Sequence, residues 1–509
     1  MTNQKNAIYD VIVAGAGMGG LSAGCLLAKA GYSVLILEAG HVAGGCSSSY
    51  FRKGYIFESG ATTLIGFDEN QPMKMLEELL EIDIPKKQIY PSMTVHQSGK
   101  QIVRWQGREK WIEEVSRLFG EPQEQRRFWE LCYEISDVVW KVSGKNNFFP
   151  PQSVSDLGQL LKNDIRDIWV LPYAIKSVQK SARDIGISNP EFYRFLDEQL
   201  IISSQSPSEE TPMLFGAPAL TYTNYTNYYV PGGLIEMVNA LKSNLESNGG
   251  SLHVKEKVSS IEHFDEIIEV KTVKNKSYRS RVLISNIPVW NMSDITQGKM
   301  KSYFQKESSK YEEAWGAFTM GIVTDDPYPE EMSLHHQIHI DENEKLGGLS
   351  SNSIFVSFSD RKDNVRVKQD GERVMNISTH ADPDYWFALN GSYDEQKEAV
   401  QEQIIRLLRE KLPFFKEAEV KLAFSSTPVT WCNWVYRKKG KVGGIPQSMD
   451  RSLIDWTPNR TPFSGLYLCG DTVFPGQGIP GVTLSGINVY LRVLKYLKKS
   501  IKQIEFSRR

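Results

Sequence analysis

"YDVIVAGAGMGGLSAGCLLAKAGYSVLILEAG", residues 9–40, is the stretch on which the fold reading turns. It opens with the apolar run 11–14, the pattern of a parallel strand buried on both faces. Gly15, Gly17 and Gly20 follow as GxGxxG, with Met18 and Gly19 inside the turn. Leu21, Cys25 and Ala28 then recur at helical spacing, and a second apolar strand over 33–37 ends in Glu38. Each part has a physical job. Gly15 permits the tight turn out of the strand, Gly17 leaves room for a pyrophosphate, and Gly20 lets the helix pack close to the sheet. The free N–H groups and positive dipole end of the helix favour phosphate there. Glu38 can accept hydrogen bonds from ribose hydroxyls, and an acid at this point disfavours a 2'-phosphate. GxGxxG alone is a weak signal. With a strand before it, a helix behind it and an acid closing the second strand, it predicts a dinucleotide site.

The next segment, "LEAGHVAGGCSSSYFRKGYIFESGAT" over 37–62, separates FAD from NAD. After Glu38 and Ala39 comes a second glycine pair, Gly44 and Gly45, and then Cys46. This E-x5-G-G arrangement resembles the FAD-binding superfamily that includes amine oxidases and carotenoid desaturases. The resemblance implies that the second turn runs along the pyrophosphate and ribityl chain. "GYIFESGAT", with Gly60 and Ala61, is similar to that family's segment leading to the isoalloxazine ring. Three later segments agree. In "YVPGGLIEMVNALKSNL", Pro231, Gly232 and Gly233 open a helix with Leu234, Val238, Leu241 and Leu245 as its stripe, and Val258 follows in the position that holds adenine in the relatives. "RVLISNIP" over 281–288 is similar to the strand returning under the nucleotide, with Asn286 at its end. "GLYLCGDTVFPGQGIPGVTLSGINVYLRVL" over 465–494 places Gly470 and Asp471 at the ribityl hydroxyls. Gly478, Ile479, Pro480 and Val482 then lead into a helix whose N-terminus faces the flavin, where its dipole favours the anionic reduced state.

"GDTVFPGQGIPGVTLSG" resembles the signature of carotenoid desaturases, carotenoid isomerases and retinol saturases, and "GKVGGIP" and "NISTHADPDYW" have counterparts there. Cys46 stands where many phytoene desaturases and amine oxidases carry Arg, which points towards the 3',4'-desaturase, isomerase and retinol saturase branches. The fold class implied is α/β (α+β overall): a Rossmann-type FAD-binding domain with an inserted sheet-and-helix substrate domain. The discontinuous FAD-binding domain is drawn at 1–75, 218–300 and 455–509, and the substrate region at 76–217 and 301–454.

The resemblance implies an apolar polyene as substrate. The working reaction is desaturation, with hydride passing to flavin N5 from an allylic C–H and a proton leaving the adjacent carbon. Isomerisation with reduced FAD, saturation of retinol type, amine oxidation and flavin binding without turnover are the alternatives. The further GxGxxG match, GQGIPG over 476–481, lies inside the C-terminal segment that resembles the FAD signature, so no separate NADPH domain is read and reoxidation falls to oxygen, a quinone or another acceptor. No base is assigned; His380, Tyr228, Tyr229 and Glu58 are the candidates. Tyr222, Tyr225, Tyr228 and Tyr229, read as one alternating strand, place Tyr222 and Tyr228 on one face, and Trp431, Trp434 and Tyr436 supply further aromatic surface.

Composition bounds the rest. A chain of 509 residues is too long for one ordinary core. Its net charge of -2 gives no overall basic field for nucleic acid. The five cysteines form no CxxC pair, which suits a reducing, cytoplasmic setting and argues against a zinc site. No metal is expected at "SLHHQIH" over 333–339 either, since the histidines alternate across a strand with no acid or Cys at ligand spacing. The N-terminus has no apolar signal core, and no apolar run reaches transmembrane length. Peripheral membrane contact stays open through two segments. One is the basic tail from Leu491, read first as a solvated helix; the other is "IRDIWVLPYAIKSV" over 165–178.

Overall fold

The computed structural model describes residues 8–145, 149–151, 156, 158, 165–264, 266–311, 313–341, 344, 346–452 and 455–507. The first residues of the N-terminal reading, 1–7, and the last of the basic tail, 508–509, lie outside the described residues.

The opening stretch folds into strand Ile8–Ala14, helix Met18–Lys29 and strand Val34–Leu37, paired in parallel. They sit in a seven-stranded sheet ordered Val258–Phe264, Ile267–Thr272, Ser277–Ser285, Ile8–Ala14, Val34–Leu37, Ser251–His253. The seventh strand, Leu466–Leu468, pairs in parallel with the C-terminal half of Ser277–Ser285. Val11, Val13, Val34 and Ile36 pack on one side of this sheet against helices Met18–Lys29, Ile235–Ser247 and Ile479–Ser507. Ile12, Leu35 and Leu283 pack on the other, against Val289, Trp290 and Phe304. Burial on both faces is why these strands read as unbroken apolar runs.

A second sheet of seven strands runs in the order Val420–Ser426, Gly316–Asp325, Glu372–Ala381, Ser353–Phe358, His335–His339, Met93–Gln97, Lys100–Arg104. Neighbours are antiparallel except His335–His339 with Met93–Gln97. Phe318, Met320, Ile354, Val356 and Ile377 point to one face, against Ile404, Leu407 and Leu408 of helix Tyr393–Lys411. A helical layer, Arg108–Phe119, Pro122–Ser143, Pro190–Ser204 and Met213–Thr221, packs its own aromatic core around Trp111, Phe128, Trp129 and Phe195.

The tyrosine ladder does not form. Helix Met213–Thr221 runs on into a 3-10 turn, Tyr222–Asn224, and only Tyr228–Tyr229 is strand, paired with Lys87–Gln88. Period-two alternation therefore never applies across 222–229. The histidines of strand His335–His339 are buried: His336 Nδ1 lies 3.1 Å from His96 Nε2, and His335 Nε2 lies 3.3 Å from Thr63 Oγ1.

Candidate active site

The loop from Ala14 to Met18 turns on Gly15, which has a left-handed φ of 97°. A Cβ on Gly20 would collide with the Gly15 carbonyl and press on Val13, so the helix lies directly on the sheet only because that side chain is missing. Gly17 has a second reason to be bare. Its missing Cβ would fall 2.5 Å from Asn286 Nδ2, and those of Gly19 and Gly470 would fall 2.9 and 2.8 Å from Asn286 Oδ1. The Asn286 side chain thus threads between the first and last glycine turns. Packing against Asn286 is therefore a demand on Gly17 besides room for a pyrophosphate. The second glycine turn is pinned to the first by Gly44 N–H donating to the Ala16 carbonyl at 2.7 Å, with Gly44 and Gly45 both at positive φ.

Glu38 is held from both sides. Oε2 accepts the Ala16 N–H and Oε1 the Gly40 N–H, each at 2.7 Å. Burial pushes this carboxyl up from the ordinary value, and the same backbone N–H groups pull against that. Each oxygen keeps a lone pair for a further donor. At the other end, Asp471 Oδ2 pairs with Arg437 Nη2 at 2.7 Å. Arg437 is buried, donates Nε–H to the Lys441 carbonyl, and lies 5.5 Å from the Trp290 ring. Burial works against its charge, but Asp471 and then Cys46 hold its pKa above the usual value. The Cys46 thiol is pushed up by burial, with Arg437 opposing, so it stays protonated and acts as a small wall residue beside Gly60.

These segments enclose one end of a cavity of about 750 Å³. Gly15, Gly17, Met18, Gly19, Glu38, Ala39, Gly44, Gly45, Cys46, Gly60, Ala61, Val258, Asn286, Gly470, Asp471, Gly478, Ile479, Pro480 and Val482 all line it; Gly20 lies behind the wall. The other end reaches the helical layer and second sheet at Trp140, Phe215, Tyr222, Phe355, His380 and Trp431. Of the base candidates, only His380 lines the cavity; burial pushes its pKa down to about 4, so the ring is neutral. Glu58 does not line it. Its carboxylate pairs with Arg366 Nη1 at 3.0 Å and accepts from Ser49 Oγ at 2.6 Å. Tyr229 donates to Asp363 Oδ2 at 2.6 Å and Tyr228 packs edge-on to Phe67, so neither reaches the cavity. Trp434 is 69% exposed and contributes nothing to the slot. Sequence reasoning missed Arg437. Its signal was a lone basic residue ahead of "KKGKVGGIP", and only the tertiary fold brings it to Asp471.

The cavity suits FAD. Acceptor-rich flavin carbonyls and nitrogens would meet the donors Trp140 Nε1, Trp431 Nε1 and Gln477 Nε2, which line it and lack a partner among the described residues. Bare backbone at Gly45 and Gly478 leaves the wall open where a side chain would intrude. Fold and cavity together define a flavin-dependent oxidoreductase. Residues 18–489 match the family described as flavin containing amine oxidoreductase, and the chain belongs to that family, with FAD as its cofactor. It is 28% identical over 507 residues to prolycopene isomerase 1, chloroplastic, of an Oncidium hybrid cultivar, covering 95% of this chain and 84% of that one. It is 23% identical to all-trans-retinol 13,14-reductase of Danio rerio, over 91% and 82% of the two chains. An oxidoreductase from Methanosarcina mazei superposes with a TM-score of 0.62 at 17% identity, over 94% of this chain and 99% of the other.

Proposed function

We propose that the chain acts on a long-chain polyene, with desaturation as the leading reaction. The observation that carries this is the continuity of the cavity. One unbroken space joins the glycine cradle to a limb lined by Trp140, Phe215, Tyr222 and Trp431. Aromatic and apolar walls of this kind suit an extended conjugated chain and exclude water from it. FAD, when bound, supplies a two-electron hydride acceptor. The protein's part is placement. Glu38, Gly44, Gly45 and the N-terminus of helix Met18–Lys29 would hold the dinucleotide end, and Asp471, positioned by its ion pair with Arg437, would accept from the ribityl hydroxyls. Neutral His380 is a weak base, so the burden falls on alignment of the reacting carbons, within about 3–3.5 Å of the acceptor. The glycine turns, Glu38, Val258, Asn286 and Asp471 fall within 1–75, 218–300 and 455–509, which supports a cofactor domain assembled from those three pieces, with Arg437 reaching in from outside them.

A second reading, cis–trans isomerisation of a polyene, is favoured by the likeness to prolycopene isomerase. Anaerobic mixing of holoprotein with phytoene, lycopene, prolycopene, retinol and putrescine separates the readings. Flavin bleaching near about 450 nm by a polyene, with a desaturated product, is the expected result. Isomerised product from pre-reduced holoprotein whose flavin stays reduced assigns the second reading, and bleaching of the oxidised holoprotein by putrescine alone, with no polyene converted in either state, overturns both. Oxygen and a quinone are the acceptors to test on reoxidation.

Supply from a lipid surface fits the 3-10 segment Ile165–Ala174, which packs on helix Pro122–Ser143 near the cavity residues Val139 and Trp140. Trp169, Leu171 and neighbouring Ile175 are 41%, 51% and 81% exposed. No helix among the described residues is long and apolar enough to cross a membrane. Flotation with anionic vesicles, lost in Trp169→Ser/Ile175→Ser, tests this surface contact.

A further inference from the structure

The second sheet gives the cavity one wall that a hydrocarbon would not need. Strands Gly316–Asp325 and Glu372–Ala381 pair so that Thr319 faces Ser378, and Ala317 faces His380. Their in-between residues, Phe318, Met320 and Ile377, point into the core on the opposite face. Thr319, Ser378 and His380 therefore share the cavity face, line the cavity and are half-buried. Among the described residues, none of the three side chains hydrogen-bonds to protein. Three polar groups beside them are engaged. Ser353 Oγ accepts from Gln337 Nε2 at 3.0 Å, Ser351 donates to Glu198 at 3.2 Å, and Thr379 donates to the Ser353 carbonyl at 2.8 Å.

We infer that Thr319, Ser378 and His380 form a subsite for a neutral oxygen function, a hydroxyl or carbonyl, carried by the substrate. This rests on the polyene reading and narrows it. A bare hydrocarbon against this wall would strip water from three polar groups and return no hydrogen bond, which is unfavourable for each. A substrate oxygen can accept from either hydroxyl and exchange a hydrogen bond with the imidazole. The choice of a neutral group follows from charge. The basic residues of the lining are Lys257 and Arg437. Arg437 is paired with Asp471, and Lys257 sits over the Tyr436 ring at 4.5 Å. No cation stands on this wall, and the Glu198 carboxyl lies behind Ser351, so a carboxylate would enter unpaired. Burial that keeps His380 neutral fits the same preference.

The test is equilibrium binding to the holoprotein of matched pairs: lycopene against 1-hydroxylycopene, and axerophtene against retinol, with retinoic acid as the charged member. The hydroxylated partner of at least one pair should bind about tenfold tighter or more. Thr319→Val/Ser378→Ala should abolish that preference, weakening binding of the hydroxylated partner and tightening that of the hydrocarbon, while Thr319→Ser and Ser378→Thr, which retain the hydroxyl, should keep it. Flavin absorbance and melting temperature verify that each variant is folded. Equal binding within both pairs, or a preference untouched by the double substitution, overturns the subsite and leaves the polyene reading standing. Tightest binding of retinoic acid overturns its neutrality. Failure of every polyene to bind overturns the subsite and the polyene reading together.

Discussion

The two seven-stranded sheets face the same cavity by different means. The Rossmann sheet presents backbone: glycine turns, helix N–H groups, and two carboxylates held by N–H groups or by Arg437. The second sheet presents side chains, set by strand register, with Thr319, Ser378 and His380 on one face and a greasy core on the other. A site built from backbone tolerates no added atom. A site built from side chains can be retuned one residue at a time. This difference explains how one cofactor cradle can serve family members acting on different substrates.

Substitutions should expose this contrast in a definite order. Gly20→Ala sets a methyl against the Gly15 carbonyl, and should cost at least about 3 kcal/mol in urea unfolding together with FAD retention. Glu38→Ala leaves the Ala16 and Gly40 N–H groups without their acceptor and removes the ribose contact. FAD affinity, followed by flavin fluorescence, should fall about a hundredfold, in line with loss of charge-assisted hydrogen bonds. Undiminished FAD content would remove Glu38 from the site.

Smaller effects belong to the second sheet. Burial pushes His339 down to about 3, below the ordinary histidine value, so the unfolded chain takes up this proton first. The fold carries no penalty above pH about 6.5, loses stability as pH falls from there towards 3, and is level below. His339→Gln should therefore shrink the drop in urea stability between pH 7 and 5.5 by about 1 kcal/mol; an unchanged drop would show that His339 is not held neutral. Smallest of all, Arg52 lies over the Phe424 ring at 4.0 Å on an exposed strand. Arg52→Ala should cost roughly 0.5–1 kcal/mol and leave FAD content untouched.

Legibility in the sequence follows the same division. Gly15, Gly20 and Glu38 answer local demands within one strand–turn–helix–strand, so they can be read from contiguous residues. Asn286 was legible as a strand end, but its passage between Gly17, Gly19 and Gly470 was not, because three distant segments meet there. Arg437 and Asp471 are likewise joined only by the fold. Asn376, Ser378 and His380 do alternate with Met375, Ile377 and Thr379, a pattern that marks a strand. That pattern normally turns polar residues to solvent, and nothing local says that the polar face looks into a cavity instead. Tyr228, Tyr229 and Glu58 were drawn into the site by nearness in sequence to cofactor segments, whereas the fold commits them to Phe67, Asp363 and Arg366.

The pairing of Leu466–Leu468 with Ser277–Ser285, and of helix Ile479–Ser507 against helix Met18–Lys29, sets an order for folding. The two halves of the cradle lie far apart along the chain. Contacts spanning so much chain form late, after the intervening 400-odd residues have been organised around them, roughly as expected for high contact order. Flavin binding should therefore wait on that docking: a variant lacking residues 465–509 should fail to retain FAD, and refolding protein should acquire it only as the two segments dock.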